Sequence, residues 1–111
     1  MVTIEQTDII DGMGIDKSSG QVDLGISDHL DWDDIDYHIT ILEKKIGSYI
    51  NFVQSGQMLD ALPNAKGLPI RIMLVHQFDP TSSALKILVS VREQLEEIGI
   101  KFSYEPLPEG F

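Results

Sequence analysis

Residues 32–55 place Ile35, Ile39, Leu42, Ile46, Tyr49, Ile50 and Val53 at steps of three and four. That spacing gathers side chains along one side of an α-helix. Asp36, Glu43, Lys44 and Gln54 fall off the stripe, and Gly56 supplies a stop. A second helix is predicted after Asp79-Pro80, with Asp79 as N-cap and Pro80 at the first helical position. Its stripe is Leu85, Leu88, Val91, Leu95 and Ile98, and Gly99 ends it.

Elsewhere the apolar period is two. Asp8–Asp16 alternates imperfectly, with Ile9, Met13 and Ile15 on one side and Gly12 and Gly14 on the other, which predicts a twisted or bulged strand. Lys17–Gly20 reads as a turn, and Val22, Leu24 and Ile26 then alternate cleanly, so the two strands form a hairpin. IRIMLVHQF puts Ile70, Ile72, Leu74, His76 and Phe78 on one face and Arg71, Met73, Val75 and Gln77 on the other, which suits a central strand. Between the first helix and this strand, residues 57–68 form a connection with one helical turn around Met58–Leu62. Ile100, Phe102 and Tyr104 make the last strand, broken by Pro106 and Pro108.

The predicted order is therefore β-β-α-β-α-β. Two right-handed parallel crossovers put both helices on one face of a four-stranded mixed sheet, an α/β (α+β) two-layer sandwich. The other face shows Met73 and Val75 among polar neighbours, a candidate surface for a homodimer. The 111 residues fit a single domain, with 1–7 and 106–111 expected as loosely ordered tails.

Charge changes this picture more than composition does. Residues 1–36 carry −9 and residues 37–111 carry −1, out of a total of −10. So acidic a front half repels nucleic acid and anionic lipid and favours a basic protein partner or simple solubility. There is no cysteine, which excludes disulfides and thiolate chemistry. The first fifteen residues hold no Lys or Arg and no long apolar run, so neither a signal peptide nor a membrane anchor is expected, and the cytoplasm is the default compartment.

The acids concentrate in SDHLDWDD, residues 27–34. With Asp31 as N-cap, Asp34 closes a capping box, Leu30 and Ile35 form a hydrophobic staple, and Asp33, Asp34 and Asp36 match the helix dipole. Asp28, His29 and the single tryptophan, Trp32, are left without a role by that reading. Calcium-loop spacing fails at Ile35, and no HxxxH or HExxH pair exists, so no metal and no cofactor is expected. If the second and third strands are parallel, SDHLDWDD lies beside His76 at their carboxyl ends, the edge where open α/β sheets bind ligands. Asp28, His29, Trp32, Asp33 and His76 are thus the candidate partner- or ligand-binding residues. His76 alternates onto the helix-covered face, and no nucleophile elbow or glycine-rich phosphate loop accompanies it, so no catalytic residue is assigned.

The first-strand sequence IIDGMGID, the run VDLGISDHLDW, the helix ending INFVQSGQM and PNAKG before IRIMLVHQF together resemble a small bacterial family of uncharacterised proteins, over about Asp8 to Tyr104. SDHLDW is the most specific piece. The resemblance implies a stand-alone protein of this length and brings no activity, cofactor or catalytic residue. The function expected is a non-enzymatic protein-binding module, in one version an immunity or inhibitor protein masking a basic partner. The alternatives are a small ligand- or metal-dependent enzyme at the strand edge near His29 and His76, and the homodimer.

Overall fold

The computed structural model describes residues 3–108. Its elements are β1 (Gly12–Asp16), β2 (Gln21–Asp28), α1 (Ile35–Gln54), α2 (Gln57–Ala61), β3 (Ile70–His76), α3 (Ser82–Glu97) and β4 (Ile100–Pro106), with a single 3-10 turn at Pro63–Ala65. The sheet order is β1-β2-β3-β4, with β1 and β2 antiparallel and the other two pairings parallel. The β-β-α-β-α-β order and the mixed four-stranded sheet read from the sequence are those observed.

Alternation decides which face the helices cover. Val22, Leu24 and Ile26 of β2, Ile72 and Leu74 of β3, and Ile100 and Phe102 of β4 are buried and share one core with Leu42, Ile46 and Tyr49 of α1 and Ala84, Leu88 and Leu95 of α3. The intervening residues face the other way. There Arg71 grips its register partner Asp23 with two hydrogen bonds of 2.9 and 3.0 Å, while Met73 and Val75 are half-buried. The hairpin closes because Gly20, at φ +69°, donates its N–H to Asp16 O at 2.8 Å, a conformation open to glycine at little cost. Gly56, at φ +90°, ends the long helix as its position suggests.

Five expectations are corrected. β1 begins at Gly12 rather than Asp8, because the carbonyl of Ile9 is turned inward onto Lys45 instead of into a ladder. Residues 3–7, expected as part of a loose tail, are tied down: Ile4 is fully buried and donates its N–H to Ser27 O at 2.8 Å. α1 is capped by Asp34, whose carboxylate accepts from Tyr37 N at 3.2 Å, and not by Asp31. Asp31 instead closes a local turn on Asp33 N, and its carbonyl is taken by His38. α3 is capped by Thr81 rather than Asp79, with Thr81 Oγ1 accepting from Ala84 N at 3.2 Å. At the other end β4 runs through Pro106, and Leu107 N donates to His76 O at 2.9 Å. The rest of the expected tail, 109–111, lies outside the described residues.

Candidate functional site

Asp28 and His76 are the last residues of two parallel strands and stand opposite each other in register. Both side chains turn to the helix-covered face and are buried. His38 comes down on Asp28 from the first turn of α1, with Nε2 2.6 Å from Asp28 Oδ2. Its Nδ1 lies 2.8 Å from the carbonyl oxygen of Asp31. Both ring nitrogens therefore face acceptors: Nδ1 carries a proton, and a further proton lies between Nε2 and Oδ2. Asp28 Oδ1 accepts from Leu30 N at 3.1 Å, so the carboxylate has a partner on each oxygen.

Trp32 closes the pair off. Its ring stacks on His38 with centroids 3.6 Å apart and planes 13° from parallel, and its Nε1 donates to Phe78 O at 3.1 Å. Trp32, a candidate partner-binding residue in the sequence, is thus enclosed in the core, 6 % exposed. Aspartate, histidine and tryptophan together clasp the end of β2, the start of α1 and the segment after β3. Enclosed and with each nitrogen and oxygen partnered, such a network rigidifies the backbone it joins.

His29, the next residue after Asp28, goes the other way. Its Nε2 pairs with Glu5 Oε1 at 3.0 Å, and the second oxygen of Glu5 accepts from Tyr37 at 2.9 Å. The bond to Glu5, first, and the neighbouring carboxylates push the Tyr37 phenol above its ordinary range. His29, with Thr3, Ser27, Val75, Gln77 and Leu107, lines a depression of about 350 Å³. His76 does not line it: its side chain is on the covered side, with Nδ1 enclosed and without a hydrogen-bond partner among the described residues. The two histidines proposed to share an edge site are therefore not brought together. Asp33 is exposed and pairs with no base among the described residues. Among the described residues no group of three or more His, Asp or Glu side chains could hold a metal ion, and no helix is long and apolar enough to cross a membrane.

The family of unknown function DUF6572 matches residues 2–108. The chain belongs to that family. No curated protein and no solved structure matches the chain. Membership in DUF6572 brings no reaction or ligand to these positions, so the side chains alone must carry any reading of function.

One cluster in this DUF6572 chain lies outside the residues singled out from the sequence. Lys45 is fully buried, and its Nζ donates to Thr3 O, Gln6 O and Ile9 O at 3.1, 2.7 and 2.7 Å and to the carboxylate of Asp11. Asp11 Oδ2 accepts from Ser27 N at 2.9 Å, and Asp11 N donates to the hydroxyl of Tyr49, which donates in turn to Gly25 O. Burial, above all, pushes the Tyr49 phenol well above its ordinary range. A signal for this cluster does exist. His38, Leu42, Lys45 and Tyr49 recur at helical steps of four, three and four, and a lysine on that line needs acceptors.

Proposed function

We propose that the protein is a non-enzymatic binding module whose acidic end receives a basic protein partner. One observation supports this reading above the others. Asp11, Asp23 and Asp28 are each matched internally, by Lys45, Arg71 and His38. Asp31, Asp33, Asp34 and Asp36, around the start of α1, are all exposed and pair with no basic side chain among the described residues. The α1 dipole offsets about half a charge there, which leaves most of the field facing solvent. Such a surface steers a cationic partner in and confers specificity by charge. An inhibitor or immunity protein masking a basic partner is the concrete form proposed.

Affinity capture from an extract of the source organism, at low and at physiological salt, tests it. A defined basic protein retained by the wild type and lost with Asp33→Asn/Asp36→Asn, neither of which is the helix cap, is the expected result. Retention of nothing, or retention unchanged by the double variant, removes the reading. Self-association through Met73 and Val75 is a second reading, supported by their half-buried, solvent-facing position on the open sheet face. A monomer mass by light scattering at high concentration removes that one.

A further inference from the structure

Thr3–Ile10 belongs to neither helix nor strand, yet it is held at three places. Ile4 fills a fully buried seat, and its N–H reaches Ser27 O at 2.8 Å. The carbonyls of Thr3, Gln6 and Ile9 converge on Lys45 Nζ. At the surface, the Glu5 carboxylate bridges His29 and Tyr37. Beneath this segment lies a stretch of β2 that its neighbour does not reach: β1 pairs with Gln21–Gly25 and stops. Beyond Gly25, among the described residues, hydrogen bonds to the outer edge of β2 come from Ile4 and from the side chain of Asp11.

We propose that Thr3–Ile10 is a detachable strap over the outer edge of β2, and that its seat takes a peptide that folds through the same two turns, Thr3 O to Gln6 N and Gln6 O to Ile9 N, and carries a branched aliphatic residue where Ile4 sits. The strap itself is the observed occupant, and its contacts say what fits. Lys45 reads it through three main-chain carbonyls, which the two turns bring together on one ammonium. Ile4 is its buried side chain, whereas Glu5, Gln6, Asp8 and Ile9 are exposed. Its bond to β2 is the single one from Ile4 N to Ser27 O; peptide recognition at a strand edge uses such backbone bonds for affinity and a side-chain pocket for selectivity.

The geometry also says where the strap comes away. Asp11 stays with the body, bonded to Lys45, to Ser27 N and to Tyr49, so the buried ammonium keeps its counter-charge when Thr3–Ile10 lifts. The three carbonyl contacts are lost together. That makes the segment one opening unit, below the sheet in protection, of the kind that local opening selects.

Two measurements on the full-length chain test this. In the wild type, amide exchange of residues 3–10 is expected to run ahead of exchange at Leu24, Ile72 and Leu74. A single common opening for both sets overturns the strap. In the second, Ile4→Gly empties the seat while leaving Lys45 and the strand edge in place. The probe is a labelled peptide of sequence MVTIEQTDII, residues 1–10 of this chain, followed by fluorescence anisotropy. Ile4→Gly is expected to bind it, and the wild type at least about tenfold more weakly, because the tethered strap competes at high effective concentration. Adding Lys45→Met to Ile4→Gly is expected to abolish binding. A folded Ile4→Gly variant that ignores the peptide overturns the proposal, and so does an Ile4→Gly variant that cannot fold, since Ile4 would then be core rather than strap. The probe is acidic, so its capture owes nothing to the acidic end of α1, and either reading can fail without the other.

Discussion

Asp28 and His29 are neighbours in the chain, and each belongs to a carboxylate–imidazole pair. In Asp28–His38 the atoms are 2.6 Å apart and the side chains are 0 % and 1 % exposed. In Glu5–His29 they are 3.0 Å apart and the side chains are 45 % and 42 % exposed. The functional groups are the same, so what separates the pairs is solvent. Out of water, each oxygen and each ring nitrogen of the first pair must find a protein partner, and each does: Leu30 N and Asp31 O complete it, and the Trp32 ring stacks over it. In water, the second pair trades places with hydration at little gain. The buried pair is architecture that fixes the corner between β2 and α1. The exposed one is a loose tie between the strap and the body.

The strongest way to break this comparison is His38→Ala. It strands Asp28 Oδ2 in the interior without a donor and removes the surface on which Trp32 stacks. Losing one partner of a buried pair costs about 3–5 kcal/mol. Domains of this size are stable by about 5–15 kcal/mol, so the loss is a large share of the whole. Urea unfolding followed by Trp32 fluorescence measures it. A cost under about 1 kcal/mol would place the buried pair with the exposed one and remove the distinction.

Tyr49→Phe asks whether burial matters without a histidine. The change deprives Gly25 O and Asp11 N of the same hydroxyl inside the protein, at an expected cost of about 1–3 kcal/mol. It also has a signature in pH. The ordinary phenol value is 10.0, and burial raises it in the folded state. The folded chain therefore keeps a proton that the unfolded chain releases. Stability from this group is complete below pH 10 and falls as pH rises past it. Alkaline unfolding of the wild type is expected to steepen above pH 10, and that of Tyr49→Phe to lack this component. Equal slopes for the two proteins would contradict the burial account.

The sheet and helices were legible because their apolar residues alternate or recur against a single covered face, as in Val22, Leu24 and Ile26 or Leu88 and Leu95. The helix start was legible only in kind. Asp28, Asp31 and Asp34 each close a turn on a nearby backbone N–H, so local rules fit more than one of them as cap. What selects Asp34 is tertiary, since the ring of His38 takes the carbonyl of Asp31. The centre of the α1 face was misplaced for a related reason. Its buried line runs through His38 and Lys45 beside Leu42, Ile46 and Tyr49, and a histidine and a lysine do not register in an apolar stripe. The order of residues 3–10 was not legible at all, because it depends on an ammonium more than thirty residues away.

The smallest effect is expected where the comparison predicts least. His29→Ala or Glu5→Gln should change stability by less than about 1 kcal/mol, and added salt should shrink even that, because both side chains sit in water. A double-mutant cycle isolates their coupling, to be set beside the same cycle on Asp28 and His38. Stability is a blunt probe for the exposed pair, however, and Tyr37 offers a sharper one. Its phenol is held above the ordinary value first by its bond to Glu5. Glu5→Gln replaces the carboxylate with a neutral acceptor, so the Tyr37 titration, followed by phenolate absorbance, should move down towards 10.0. If it does not move, Glu5 is not held against Tyr37 in solution, and the surface tie on the strap is absent. If His29→Ala also leaves the Tyr37 titration in place, the carboxylate is held by the phenol without help from the imidazole. That outcome would make His29 the least constrained member of SDHLDWDD, one residue away from the most constrained.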